Sequence, residues 1–146
     1  MENEEKFRLD NQLCFAFYAC SREIIKLYRP ILAELDLTYT QYITMLALWE
    51  KDGVPVKELG ARLYLDSGTL TPLLKKLESS GYITRTRNKS DERNLVIQLT
   101  EEGRRLKEKA ETIPERLVEC TNAAPEEVIS LRDQIQSLLR KMDSPT

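Results

Sequence analysis

One stretch near the middle of the chain, residues 66–78, constrains the fold most strongly. Its leucines recur at helical spacing, so one face of a helix is apolar and packs into a core. The remaining positions are mostly small polar or basic, namely Ser67, Thr69, Thr71, Lys75 and Lys76. Side chains of these types suit base edges and phosphates in the major groove of DNA. We therefore predict that this stretch is a DNA recognition helix.

The residues before this stretch predict two further helices. Thr38–Tyr39–Thr40–Gln41 has the pattern of a capping box, which starts a helix that runs to about Glu50. Residues 54–56 form a short extended link, and residues 57–63 form a short helix. A short helix followed by a recognition helix is the order of a helix-turn-helix.

The residues after this stretch predict a β-hairpin. Residues 82–87 alternate in polarity, residues 95–99 are apolar and β-prone, and the polar loop 88–93 separates them. A helix-turn-helix with such a hairpin is a winged helix, whose basic hairpin tip is attracted to a narrow minor groove. On the hairpin, we predict that Arg85 and Arg87 contact phosphates. Lys89 and Arg93 would enter the minor groove, and the Asp91 carboxylate would brace Arg93.

The N-terminal part of the chain predicts one long helix, from Asp10 to about Leu35. Apolar residues lie around much of its girth, so it needs partners on more than one side. Pro30 should kink or end it. Cys20 falls on the apolar stripe of this helix, and we expect it to be a core residue.

The C-terminal part predicts two helices, each with apolar residues spaced three and four apart in a seam that can pair with another helix. The first is capped by Thr100 and bent at Pro114, and the second begins at Pro125. The expected fold class is therefore mainly α, a winged helix-turn-helix at residues 38–99 within a single domain. The long helices at residues 8–37 and 100–142 would form a dimerisation region. In the alternative, the terminal helices fold back on the winged module and the protein is a monomer.

Composition excludes several function classes. The chain of 146 residues has a net charge of −2, but residues 54–99 carry +3 and the remainder −5. This weakly basic middle permits nucleic-acid binding without requiring it. The chain has no histidine and no glycine-rich phosphate loop, so we expect no metal site and no cofactor. Three cysteines, a charged N-terminus and no membrane-length apolar run predict a cytoplasmic protein that is not membrane-bound.

The element order and two strings, residues 65–73 and 91–93, resemble the MarR family of bacterial repressors. Residues 11–15, with Tyr28 and residues 38–42, are similar to its OhrR-type branch, thiol-based sensors of organic hydroperoxides. The resemblance covers the chain from about Leu9 to Leu139 and implies a homodimer that binds a pseudo-palindromic DNA operator. It implies a regulator rather than an enzyme.

The resemblance further implies that Cys14 is the thiol that reacts with peroxide and that Tyr39 donates a hydrogen bond to it. Tyr18 and Tyr28 fall on the same helical face as Cys14, so we expect their hydroxyls to donate as well. The residues themselves agree, because Cys14 is predicted about one turn inside a helix whose cap is Asp10. A helix N-terminus favours negative charge, and the thiolate is the nucleophilic form of cysteine. The competing interpretation is a buried, unreactive thiol.

Oxidised Cys14 would be resolved by a second thiol. Two-cysteine members of the branch have a resolving cysteine in about the region of Cys120, which implies an intersubunit Cys14–Cys120 disulfide. Cys20 lies on the opposite side of the same helix, so an intact helix cannot join it to Cys14. A low-molecular-weight thiol is the alternative to Cys120.

Three rival functions remain open from the sequence. The first is a MarR-type repressor released by a small aromatic ligand, with Cys14 incidental. The second is a thiol enzyme such as a peroxidase, which lacks support because the chain has neither a histidine nor a Cys-x-x-Cys motif. The third is a structural adaptor that uses only its seamed helices.

Overall fold

The computed structural model describes residues 2–88 and 91–143 of the chain. Its helices are α1 (Glu2–Glu5), α2 (Leu13–Ala33), α3 (Tyr39–Glu50), α4 (Val56–Leu63), α5 (Ser67–Ser79), α6 (Glu101–Lys109), α7 (Ile113–Thr121) and α8 (Pro125–Asp143). A short 3-10 turn spans Leu9–Asn11, and the strands are β1 (Val54–Pro55), β2 (Ile83–Asn88) and β3 (Asp91–Leu99). The chain folds as two compact units. The central unit is Arg29–Glu111, and the terminal unit joins the residues up to Tyr28 with those from Thr112 onwards.

The turn between α4 and α5 is built on a close backbone approach. Tyr64 adopts a left-handed conformation with φ of 57°, and the Leu65 N–H donates to the Gly60 carbonyl over 3.0 Å. A Cβ atom on Gly60 would lie 2.9 Å from the Leu65 carbonyl oxygen, so the turn requires glycine there. Asp66 then caps α5 by accepting a hydrogen bond from the Thr69 N–H over 2.7 Å. The predicted helix-turn-helix is thus present, and α5 begins at Ser67.

The four leucines of α5 lie in the core of the central unit, as their spacing predicts. Each is at most 9% exposed, and α3, α4 and the sheet contribute further buried side chains. The most deeply buried of these core residues are Met45, Leu48, Leu59, Leu70, Leu74, Leu77, Ile83 and Ile97. Burying one such side chain contributes about 1.5–3 kcal/mol, so this core fixes the orientation of α5.

The three strands form one antiparallel sheet in the order β1–β3–β2. The predicted hairpin is confirmed, with Ile83 opposite Leu99 and an irregularity between Arg87 and Asn88. The structure adds a strand to the predicted extended link and corrects the length of the hairpin loop. The link at residues 54–56 contains β1, whose Val54 pairs with Ile97, because an extended segment beside β3 completes its backbone hydrogen bonds. The second hairpin strand begins at Asp91, so the loop is shorter than predicted.

The base of the hairpin is fixed by side chains at the start of α6 and near the end of α3. Thr100 Oγ1 accepts a hydrogen bond from the Gly103 N–H over 3.0 Å and donates to the Gly81 carbonyl over 2.6 Å. The Trp49 indole donates to the Gly103 carbonyl over 2.9 Å. Asp52 accepts from the Leu99 N–H over 2.8 Å. These bonds hold the hairpin against α3 and α6.

The predicted bounds of the N-terminal helix were wrong at its start. Gln12 is extended, and its side-chain amide donates to the carbonyls of Lys6 and Arg8 over 2.8 Å each. These bonds close the segment before α2, so the helix begins at Leu13 and not at Asp10. Pro30 removes one N–H from the helix without ending it, and α2 continues to Ala33.

The predicted helix bent at Pro114 is two helices. Thr100 caps α6 as expected, but α6 ends at Lys109 and α7 begins at Ile113. Pro114 lies in the first turn of α7, where its missing N–H costs no helical hydrogen bond. Within the described ranges, no helix is long and apolar enough to cross a membrane.

Candidate DNA-binding surface and candidate redox site

The predicted groove-reading side chains of α5 lie away from its buried leucines. Ser67, Thr69, Lys75 and Lys76 are exposed, and Thr71 is half-buried. The Asp66 cap fixes the N-terminus of this helix, and the hydrogen bond from the Thr69 N–H is the main reason that the pKa of the Asp66 carboxyl is lowered. The arrangement presents hydroxyl and ammonium groups along one helix, which is suitable for the major groove.

The predicted contacts of the hairpin differ in what the structure shows of them. Arg87 is exposed, on the outer part of β2. Lys89 lies outside the described residues. Asp91 and Arg93 belong to β3, but their side chains are not among those described. Arg85 is only partly exposed, because its guanidinium contacts α5.

Arg85 binds a carboxylate that the sequence did not single out. Its Nε and Nη2 atoms donate to Glu78 Oε1 over 3.1 and 3.0 Å, and its backbone N–H donates to Glu78 Oε2 over 3.3 Å. The hydrogen bond from Arg85 lowers the pKa of the Glu78 carboxyl. Glu78 precedes Arg85 by seven residues across a turn, a spacing that carries no local signal.

The candidate redox site is the start of α2. Cys14 is the second residue of that helix, nearer its N-terminus than predicted, and its thiol is free and exposed. Cys20 is exposed as well, so its assignment to a core was wrong for the single chain. Phe17, Ile24 and Leu27 of the same stripe are half-buried, so the stripe is covered in part but not at Cys20. Cys120 is free and exposed near the end of α7.

The three tyrosines predicted to serve Cys14 lie in different places. The Tyr18 ring stacks on Phe15 at a centroid distance of 6.4 Å, and the Arg22 guanidinium lies 5.4 Å from its centre. Tyr28 is fourteen residues beyond Cys14 in α2. That separation is about 21 Å along a helix, which a tyrosine side chain cannot span. Tyr28 can therefore reach a Cys14 thiol only if that thiol belongs to another chain.

Tyr39 is the first residue of α3, in the central unit, and it is half-buried. Burial raises the pKa of its hydroxyl. Burial also raises the pKa of the Tyr42 hydroxyl, and the nearby Tyr39 raises it further. Both hydroxyls therefore stay protonated at neutral pH and are able to donate hydrogen bonds.

The terminal unit exposes apolar side chains that its helical seams predicted to be buried. Leu13 of α2 is 60% exposed, and Leu131 and Ile135 of α8 are 50% and 44% exposed. No residue of α8 within Pro125–Asp143 is buried. Large exposed apolar patches mark interaction sites in soluble proteins, and Leu131 and Ile135 lie four residues apart on one face of α8.

Two further features bear on ligands. A cavity of about 390 Å³ lies beside the helix-turn-helix and is lined by Val56, Lys57, Gly60, Ala61, Leu65, Ser67, Leu70 and Leu95. Its size is within the range of small-molecule sites. Among the described residues, no group of three or more acidic or cysteine side chains is placed to hold a metal ion.

Comparison with known proteins gives the context for these sites. Residues 26–110 match the family model of the transcriptional regulators SarA/Rot. The chain is 47% identical, over 97% of both chains, to the organic hydroperoxide resistance transcriptional regulator of Bacillus subtilis. It is 49% identical, over 94% of both chains, to the regulator SarZ of Staphylococcus saprophyticus. The chain belongs to the OhrR-type branch of the MarR family. The fold and family predicted from the sequence are therefore confirmed.

Solved structures agree with this assignment to the OhrR-type branch. Reduced AbfR bound to DNA is 35% identical to the chain, with a TM-score of 0.76 over 97% of this chain and 98% of that one. AbfR, a protein of Staphylococcus epidermidis, has also been solved in a disulfide form, with a TM-score of 0.66 over 94% and 97%. The present OhrR-type chain is a DNA-binding transcriptional regulator from a redox-sensing branch of the family.

Proposed function

We propose that the protein is a homodimeric repressor that leaves its operator when organic hydroperoxide oxidises Cys14. The observation that carries this proposal is the exposed, free Cys14 thiol at the N-terminal end of α2. Exposure lets a peroxide approach the sulfur, and the thiolate is its nucleophilic form. The similarity to the organic hydroperoxide resistance regulator of Bacillus subtilis supports the choice of oxidant.

The chemistry needs no cofactor. The Cys14 thiolate attacks one peroxide oxygen, the O–O bond breaks, and the alcohol leaves after taking up a proton. The sulfur becomes a sulfenic acid. A second thiol then attacks that sulfur and releases water, which forms a disulfide. Each regulator thus consumes peroxide once until it is reduced, as expected of a sensor and not of an enzyme.

The dimer would be made by the terminal unit. Exposed apolar side chains on α2 and α8 support this role, because a second copy would cover them. Two copies would place two α5 helices about 34–36 Å apart on one face of a pseudo-palindromic operator. In such a dimer, Tyr28 donates to the Cys14 thiolate of the other chain, since it cannot reach its own. We assign the same role to Tyr39 and to Tyr18.

Cys120 is the thiol that we propose as the resolving cysteine, in an intersubunit disulfide with Cys14. Both thiols are free and exposed in the terminal unit, as this reaction requires. Cys20 of the other chain and a low-molecular-weight thiol are the alternatives. Disulfide formation between subunits would change the separation of the two α5 helices and so weaken operator binding.

DNA recognition divides between the helix and the hairpin. Ser67, Thr69, Thr71, Lys75 and Lys76 of α5 would read the major groove. Lys89 and Arg93 would enter the minor groove, with Asp91 bracing Arg93, and Arg87 would contact a phosphate. Arg85 was predicted to contact a phosphate, but its guanidinium donates to Glu78 instead.

A gel shift on the protein's own upstream DNA tests this function. The wild type, Cys14→Ser and Cys20→Ser are each compared before and after cumene hydroperoxide. We expect release of the wild type and of Cys20→Ser, and no release of Cys14→Ser. Release of Cys14→Ser would overturn the sensing role and favour a MarR-type repressor controlled by a small aromatic ligand, for which the 390 Å³ cavity beside Ser67 offers a place.

A non-reducing gel of the same samples tests the resolving cysteine. Wild-type protein should form a covalent dimer after oxidation, and Cys120→Ser should not. A covalent dimer that persists in Cys120→Ser would exclude Cys120 from this step while leaving the role of Cys14 intact.

A further inference from the structure

The β2–β3 hairpin, Ile83–Leu99, is the wing of this fold, and one carboxylate of α5 holds its first strand. The Glu78 carboxylate accepts three hydrogen bonds from Arg85, two from the guanidinium and one from the backbone N–H. A carboxylate that accepts two hydrogen bonds from one guanidinium is bound strongly and in a specific geometry. The pair thus joins the last turn of the recognition helix to the third residue of β2.

The position of β2 in the sheet explains why this carboxylate matters. The strand order β1–β3–β2 leaves β2 at an edge, so N–H groups on its outer side have no strand partner. Glu78 Oε2 accepts the Arg85 N–H over 3.3 Å and so caps that edge. At Arg85, the outer edge of β2 is therefore bonded to α5 and not to another strand.

Burial distinguishes this pair from ordinary surface pairs. The Arg85 and Glu78 side chains are 21% and 38% exposed, whereas Arg62 and Glu50 in another ion pair of the central unit are 66% exposed each. Partly buried charges are screened less by salt than fully exposed ones. The hydrogen bonds from Arg85 also lower the pKa of the Glu78 carboxyl, which therefore stays ionised.

Neither the helix dipole nor DNA gives a reason for an acidic group at this place. A carboxylate in the last turn of a helix opposes the helix dipole, and on a DNA-binding element it repels phosphates. We infer that Glu78 is a positioning residue, which sets the wing relative to the recognition helix through Arg85. Arg85 then belongs to the protein's internal framework and is not a phosphate contact. This inference rests on the proposed use of α5 and the wing in operator binding.

The test is a double-mutant cycle on operator affinity over a range of salt concentrations. Glu78→Ala removes a negative charge, yet it should weaken specific binding about tenfold, because the wing loses its position. Arg85→Met should weaken binding by a similar factor, and the double variant should be no weaker than either single variant. The salt slope of Arg85→Met should equal that of the wild type. Glu101→Ala, which removes the same charge from an exposed pair with Arg105, is the matched control and should change binding less than twofold.

Two outcomes would overturn the inference. One is a salt slope of Arg85→Met shallower by about 0.9, the value for one lost phosphate contact, with effects that add in the double variant. The other is equal operator affinity of Glu78→Ala and Glu101→Ala. Thermal unfolding of each variant checks that the central unit is folded.

Amide hydrogen exchange in DNA-free protein separates this inference from the proposed function. The Arg85 amide should exchange about tenfold faster in Glu78→Ala than in Glu101→Ala, because only the first loses the acceptor of that N–H. Equal exchange would show that Glu78 does not hold β2. A wild type that fails to bind its upstream DNA would count against the proposed function alone, since the exchange result does not depend on DNA.

Discussion

The leucines of α5 in the central unit and of α8 in the terminal unit differ in burial. In the central unit, Leu70 and Leu74 of α5 are 0% and 1% exposed. In the terminal unit, Leu131 of α8 is 50% exposed and no residue of that helix is buried. The central unit therefore completes its core within one chain. The terminal unit carries apolar surface that one chain leaves uncovered, so its stability should depend on a second copy, whereas that of the central unit should not.

The largest effect should come from removing core volume in the central unit. Leu70→Ala should lower the free energy of unfolding by about 2–5 kcal/mol, because it deletes a fully buried side chain and leaves a cavity. Urea unfolding followed by circular dichroism measures this loss. Leu46→Ala is the matched control at a position 39% exposed and should cost under about 1 kcal/mol. Equal costs would contradict the description of the core.

A smaller loss should follow from adding one methyl group at the base of the wing. A Cβ atom at Gly103 would lie 2.1 Å from the Tyr82 carbonyl oxygen, so Gly103→Ala must move backbone. We expect a loss of about 1–3 kcal/mol in thermal or urea unfolding. At Gly68 the nearest atom to such a Cβ is Asp66 Oδ1 at 3.4 Å, so Gly68→Ala should leave stability unchanged or raise it. The opposite order of the two variants would refute this packing.

A charged substitution on the exposed face of α8 tests whether the terminal unit forms the dimer interface. Leu131→Asp should raise the dimer dissociation constant at least about tenfold, because it buries a carboxylate in the proposed interface. Sedimentation equilibrium gives this constant. Leu46→Asp, which places the same charge on an exposed position of the central unit, should leave it unchanged. A Leu131→Asp protein that stays as dimeric as the wild type would place the interface elsewhere.

The smallest effect concerns pH and the cap of α5. The hydrogen bond from the Thr69 N–H lowers the pKa of the Asp66 carboxyl in the folded chain. The ionised carboxylate therefore contributes its full stabilisation above the usual aspartate pKa of about 4. This contribution is lost as the pH falls through the lower pKa of the folded chain. The difference in urea midpoint between wild type and Asp66→Asn should shrink from pH 6 to pH 3. A difference that is constant over that range would show that Asp66 does not titrate in this way.

The sequence predicted well those features that depend on local pattern. Leucine spacing located α5, and the capping pattern at Thr38–Gln41 located α3, because both signals lie within a few neighbouring residues. What it missed depends on contacts between distant residues. The Glu78–Arg85 pair crosses a turn, and β1 is a strand only because β3 lies beside it. The exposure of Cys20 was missed because an apolar stripe shows that a partner is needed but not whether the same chain supplies it.

The central claim is that the oxidation state of Cys14 controls DNA binding. Its most direct test titrates the wild type on upstream DNA with organic hydroperoxide. Fluorescence anisotropy measures the fraction released, and mass spectrometry measures the fraction of Cys14 oxidised in the same samples. We expect the two fractions to rise together and Cys14→Ser to stay bound throughout. Release of DNA while Cys14 remains a free thiol would contradict the claim.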